Sequence, residues 1–262
     1  SAASCTGTAD DNANRVLQAG EEDEEEEEPA LPDPLGDAER ARLDGELSEL
    51  LRSEDGCEVC AMALSEGGPG VAYVYEAGLL MALEAKEADG QLLAALLAHL
   101  RRGSPSPARA GAIFGASQCF EILDDVMLDA PYAHRRLAEQ CAALAKSGAL
   151  PAPACARLAN RGLAKDAERG SPAAFGVAYA VALVAALGGA EAHEALAEGN
   201  GRGREGLASL VSGSPGSAQA MSAAGVAFLL EDTAPDPASC QPAPPPFTRL
   251  RLPASSAASC TG

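Results

Sequence analysis

The stretch Phe120-Glu-Ile-Leu-Asp-Asp125-Val-Met-Leu-Asp129-Ala-Pro131-Tyr-Ala-His-Arg-Arg-Leu137-Ala-Glu-Gln-Cys141-Ala-Ala-Leu144 decides how this chain folds. It reads as the apolar end of one helix, a short acidic loop holding Asp125 and Asp129, a proline at a helix start, and then an amphipathic helix. Leu137, Cys141 and Leu144 form the apolar stripe of that last helix, and Gly148 is its expected C-terminal cap. Helix, short loop, helix is the unit repeated along most of the chain.

Upstream, Ser106-Pro107 pairs a cap with a first-turn proline and starts the helix that runs through Phe114, Phe120 and Leu123. Asp89 can cap a helix over 91–102, whose last turn places His99, Arg101 and Arg102 where the helix dipole favours cations, and Gly103 ends it. Residues 71–88 are apolar nearly all round and predict a central, buried helix. Gly67-Gly-Pro-Gly70 breaks the chain before it. A short helix over 54–64 carries Val59 and Ala63 on one face, and Asp37 caps an opening helix with the stripe Leu43, Leu47, Leu50 and Leu51. Downstream, 152–165 forms one more helix. Seven helical segments with short connections predict an all-α fold, antiparallel helical hairpins stacked as a HEAT-like α-solenoid.

Composition agrees with helices. Of 262 residues 47% are hydrophobic, enough for a real core, while aromatics are 3% and tryptophan is absent. Alanine and leucine therefore build the interior. A formal net charge of -19 argues against direct binding to a nucleic-acid backbone, which needs clustered lysine and arginine, and favours a basic protein partner. No apolar run of about 18 residues is present to span a membrane, and no secretory leader is visible from Ser1. Eight scattered cysteines, Cys5, Cys57, Cys60, Cys119, Cys141, Cys155, Cys240 and Cys260, do not read as a disulfide framework and suggest a reducing cytoplasmic or nuclear setting.

Four segments follow from these shifts. Residues 1–36, with the run Glu21-Glu-Asp-Glu-Glu-Glu-Glu-Glu28, read as a disordered acidic arm, either a solubilising tail or a lure for a basic partner. Residues 37–166 form the main helical domain. Residues 171–232 are helical and read either as a worn second copy or as chance likeness among Ala/Gly/Ser-rich helices. Gly70-Val-Ala-Tyr73, Gly103-Ser-Pro105 and Ile122-Leu-Asp-Asp125 return in order as Gly176-Val-Ala-Tyr179, Gly213-Ser-Pro215 and Leu229-Leu-Glu-Asp232, with Asp236 mirroring Asp129. Residues 233–262 form a Pro-rich disordered tail. Ser1-Ala-Ala-Ser-Cys-Thr-Gly7 recurs as Ser256-Ala-Ala-Ser-Cys-Thr-Gly262, which suggests one unit of a tandem array, a processed product, or an assembly artefact.

The order of these motifs over residues 37–158 resembles the MI domain, the helical module of programmed cell death protein 4 and of the 4-gamma scaffold of translation initiation. The Leu-rich opening helix, Ser53-Glu-Asp-Gly-Cys-Glu-Val-Cys60 at the turn into a second helix, and Val74-Tyr-Glu-Ala77 with Leu79-Leu-Met-Ala-Leu-Glu84 all find counterparts there. Asp125, Leu128, Asp129 and Pro131 match its acidic loop, and Gly148 to Pro151 its closing turn. Gly67-Gly-Pro-Gly-Val-Ala72 departs from the family, which usually has proline, an aromatic and histidines there.

The resemblance implies a non-enzymatic adaptor that binds a DEAD-box RNA helicase of the initiation factor 4A type and regulates translation initiation, in the repressing direction. Its partner-binding residues would be Asp125, Asp129, Asp124 and Pro131, with Asp232 and Asp236 in a second copy. The alternatives are a scaffold in splicing or ribosome assembly, and a generic HEAT-like protein-interaction module. From the residues alone, Asp129 can equally N-cap the helix containing Pro131, and Asp125 can be a solvated loop acid; both roles are compatible with partner contact.

Nothing predicts a metal or a cofactor. Cys57-Glu-Val-Cys60 is a lone CxxC without further ligands, so its cysteines are expected to be packed or half-exposed on a helix. His99, His134 and His193 lack metal spacing and are expected on helix surfaces. Gly199-Asn-Gly-Arg-Gly-Arg204 has no preceding strand to make it a phosphate loop; it reads as a flexible linker or, less readily, a small RNA-contacting basic loop. No nucleophile elbow or paired catalytic acids are present, and catalysis is not expected.

Overall fold

A computed structural model describes residues 34–103, 106–163, 171–198, 201–212, 214 and 216–231. The acidic run, the Pro-rich tail, Asp232 and Asp236 lie outside the described residues, as does the Gly213-Ser-Pro215 motif apart from Ser214.

Every regular element among the described residues is helical. In chain order they are α1 (Asp37–Ser53), α2 (Cys57–Ser65), α3 (Gly67–Glu84), α4 (Glu87–Gly103), α5 (Ser106–Asp129), α6 (Ala133–Lys146), α7 (Ala152–Leu163), α8 (Ser171–Leu187), α9 (Gly189–Ala197), α10 (Arg202–Ser212) and α11 (Ser217–Ala223), followed by a 3-10 turn at Ala227–Leu230. Leu43, Leu47 and Leu50 of α1 are buried as their spacing predicts, while Leu51 is only half-buried. Val59 and Ala63 of α2 are buried too. Gly148 takes a φ of 70° after α6, and Ala149 N–H reaches back to the Leu144 carbonyl at 2.9 Å, the expected closing turn.

Several helix ends differ from the sequence reading for one reason, that an acid or a proline satisfies more than one place in a first turn. Asp37 and Asp89 lie inside the first turns of α1 and α4, where they face the positive end of the dipole, and Gly36 holds the cap position of α1. Gly67 makes the break before α3 with a φ of 69°, but Pro69 and Gly70 already belong to the helix, because a first-turn proline loses no hydrogen bond. Only the corner breaks.

The core is drawn together by small residues. Gly111 and Gly115 of α5 lie on Gly68 and Ala72 of α3, so closely that a Cβ at either would collide with the carbonyl oxygen facing it. Cys119, one turn further, directs its thiol at the Glu76 carbonyl, 3.5 Å away. Each step of four on α5 meets a step of four on α3, so the two helices run parallel in near backbone contact. Interior glycines cost about 1 kcal/mol each in helix propensity, which close packing must offset. Tyr75 of α3, wholly buried, donates its hydroxyl to the Leu97 carbonyl of α4 at 2.9 Å.

The segments either side of residues 164–170 share one apolar core. α8 packs on α6 and α10 on α7. Phe120 of α5 meets Phe175 of α8 edge-on at 5.2 Å, Phe175 stacks on Tyr179 at 5.7 Å, and the Tyr179 hydroxyl donates to the Ala152 carbonyl of α7 at 3.2 Å. The tetrapeptide shared by α3 and α8 has different surroundings in the two helices. Tyr73 is half-buried and donates to Asp44 at 2.7 Å, whereas Tyr179 is wholly buried. Ile122 is exposed and Leu123 buried on α5, whereas Leu229 is buried and Leu230 half-buried in the 3-10 turn.

No single helix among the described residues is long and apolar enough to cross a membrane; α8 and α9 together have the composition but are bent by 117°.

Candidate functional site: the acidic end of α5

The acidic segment is helix, not loop. α5 continues for two turns beyond Leu123 and ends at Asp129, so Asp124, Asp125 and Asp129 all belong to it. The physical reason is the run Val126-Met127, half-buried against the core, which keeps the helical period going where charge alone suggested a stop. Glu121, Asp125 and Asp129 recur every four residues and share one exposed face. Asp124 sits beside that face, half-buried, with Oδ1 shielded from solvent and without a hydrogen-bond partner.

Two expected roles change with this placement. Asp129 does not cap the next helix: Tyr132 holds the cap position of α6, with no side-chain cap bond. Pro131 lies two residues ahead of α6 in an exposed turn, in which Ala133 N–H reaches the Ala130 carbonyl at 2.9 Å. Asp129 is therefore a carboxylate on the last residue of a helix, where the carbonyl ends make the potential negative, and no lysine or arginine occupies that turn. An acid there costs stability.

The same end of α5 and the turn after it carry large apolar side chains that the charge pattern hid. Leu128 is 73% exposed and Tyr132 75%, with Ile122 exposed beside Glu121. At 100° per residue, Leu128, Glu121, Asp125, Asp129 and Ile122 fall within about 120° of arc. This signal was in the sequence, since Leu128 and Ile122 lie outside the stripe of Cys119, Phe120, Leu123 and Val126. Isolated exposed apolar residues are ordinary; three around an acidic helix end make a mixed surface suited to a partner with basic and apolar groups.

Across the turn, α6 begins with basic residues. Arg135 pairs with Glu139 at 3.0 Å and Arg136 with the same carboxylate at 3.5 Å. His134 is half-buried with Nδ1 shielded and unpartnered; burial, aided by the Arg135 charge, holds its imidazole below the ordinary histidine value.

Cys57 is exposed and Cys60 buried on α2, with burial and the neighbouring Cys57 pushing the Cys60 thiol up to about 11, so it is held as the unreactive thiol. His99 is exposed, but His193 is buried, its Nε2 2.9 Å from the Glu231 carbonyl, which also accepts from Arg204 at 2.8 Å. Arg202 and Arg204 belong to α10 rather than to a linker, because Gly201 with a φ of 78° completes the turn and the helix starts at once. Among the described residues, no group of three His, Cys, Asp or Glu side chains is placed to hold a metal ion.

The chain matches no protein-family model, no curated protein and no solved structure. Its own residues carry the functional reading.

Proposed function

We infer that this protein is a non-enzymatic helical adaptor whose α5 end, with Asp125, Asp129, Asp124 and the neighbouring Pro131, binds a basic protein surface. The partner class implied by the motif order is a DEAD-box RNA helicase of the initiation factor 4A type, whose restraint would repress translation initiation. The observation that carries the reading is the placement of acids at the dipole-disfavoured end of an exposed helix, interleaved with Leu128 and Ile122. Asp129, a carboxylate at a helix end where the dipole disfavours it, is explained by what it binds. The packing from α3 to α8 supports a stack of hairpins as the frame: α3 pairs with α5, α4 with α6, α5 with α7 and α6 with α8, each helix on the one two places along, whereas α10 departs from that order by packing chiefly on α7.

Titration of the full chain with the helicase tests the reading. Asp125→Ala with Asp129→Ala is expected to weaken binding at least tenfold, and the association rate of the parent chain is expected to fall steeply with salt. Unchanged affinity in the double variant removes the site, and no binding by the parent chain removes the helicase.

A further inference from the structure

We propose that Cys57 and Cys60, at the start of α2, form a reversible redox dithiol, in which Cys57 attacks a positively charged disulfide and Cys60 resolves the mixed disulfide that results. The sequence spacing predicts a helix over 54–64, which would place the CxxC motif within it. In the structure α2 begins at Cys57 itself, with Gly56 in the cap position. A CxxC whose first cysteine opens a helix is the arrangement in which thiols exchange, because the N–H groups of a first turn stabilise a thiolate formed there.

The two thiols are unequal in the way such chemistry needs. Cys57 is exposed, whereas Cys60 is 7% exposed and shares the buried side of α2 with Val59 and Ala63. Asp55 accepts from the Cys57 N–H at 3.0 Å and from the Cys57 thiol, and these two bonds hold its own carboxyl below the usual value. They direct the sulfur toward the exposed side of the turn, where Asp55 stands. Gly56 seats the backbone on α4, since a Cβ there would lie 2.7 Å from Leu96 Cδ1. The Cys57 N–H is bonded to a side chain, so the first turn is able to tighten by the roughly 1–2 Å that separates Cβ atoms three residues apart on a helix from those of a disulfide.

Charge narrows the class of oxidant. Glu54, Asp55 and Glu58, all exposed, flank Cys57, and Glu46 of α1 joins them: burial, then a hydrogen bond with Glu58, push its carboxyl up, with Arg42 opposing. Arg52 is the nearest base along the chain and pairs with Glu49 at 3.3 Å. These surroundings repel an anionic disulfide and attract a cationic one. The Cys57 sulfur attacks one sulfur of that disulfide, whose S–S bond breaks, and the departing thiolate takes up the proton Cys57 gave to water. The Cys60 sulfur then attacks the Cys57 sulfur, held beside it by the helix, and displaces the second thiolate, which takes up the Cys60 proton. The dithiol loses two electrons and the small disulfide becomes two thiols.

Mass spectrometry of the full chain decides the matter, with the dication cystamine, the neutral bis(hydroxyethyl) disulfide and anionic oxidised glutathione as oxidants at low salt. Trypsin releases residues 53–86 as one peptide, which holds Cys57 and Cys60 and no other cysteine, so the remaining thiols do not confuse the reading. With cystamine that peptide is expected to lose two hydrogens and to regain them in excess cysteamine, at least tenfold faster than with oxidised glutathione and with the neutral reagent between. Cys60→Ser is expected to stop at a cysteamine adduct on Cys57, and Cys57→Ser to slow adduct formation in the peptide at least tenfold. Should either variant unfold, acid quenching of the parent chain at early times reports directly, and the first adduct is expected on Cys57. Two intact thiols under excess cystamine, an adduct in the parent chain that never resolves, a first adduct on Cys60, or oxidised glutathione reacting as fast as cystamine each overturn it.

Discussion

The first half and the last two turns of α5 belong to one helix and do opposite things. Around Gly111, Gly115 and Cys119 the helix has surrendered side-chain volume to touch α3, and Phe120 closes that stretch against α8. From Glu121 to Asp129 it keeps Leu123 inside and turns acids and Leu128 outward. The difference separates two kinds of sequence constraint on one element. Volume governs the first half, and charge placement governs the second.

That separation can be broken experimentally. Phe120→Ala, which removes a fully buried ring from the junction of α5 and α8, is expected to cost about 3–5 kcal/mol in chemical denaturation. Gly115→Ala adds a single methyl against the Ala72 carbonyl and the Tyr75 Cβ and is expected to cost about 1–3 kcal/mol, despite alanine being the better helix former. Asp129→Ala should do the reverse. By relieving the helix C-terminus, it is expected to raise stability by a few tenths of a kcal/mol while weakening partner binding. A clear loss of stability there would merge the two halves into one structural role. Leu128→Ser is expected to leave the melt within about 0.5 kcal/mol of the parent, with its effect confined to binding.

The smallest expected effect lies across the turn, at His134. Its folded imidazole titrates below its unfolded value of 6.5 because burial disfavours the cation. Stability from this group is full above pH 6.5 and is lost as pH falls through the lower folded value. Melting temperature should therefore drop as pH falls below 6.5, and His134→Gln should flatten that drop.

How much of this was legible in the sequence differs along the same helix. The leucine spacing of α1 and the Gly148 turn could be read directly, since each is local and has one physical meaning. The end of α5 could not. Asp124-Asp125 signals a loop by composition, but Val126 and Met127 find core contacts that extend the helix, and those contacts come from elsewhere in the fold. The exposed acids Asp125 and Asp129 were identifiable as residues, while their position at the wrong end of a helix depends on where that helix stops. Arg202 looked like part of a linker because its glycines are locally flexible. Only the partners of Gly203 and Gly206 on α7 reveal them as packing surfaces.

The acidic end of α5 has a thermodynamic corollary. A cation docked beside Asp129 would supply what a last-turn lysine supplies in other helices, so occupancy and folding become linked quantities. The protein would then melt later when bound, by an amount that grows with partner concentration. A thermal shift, with no knowledge of the downstream biology, could sort candidate partners for this face.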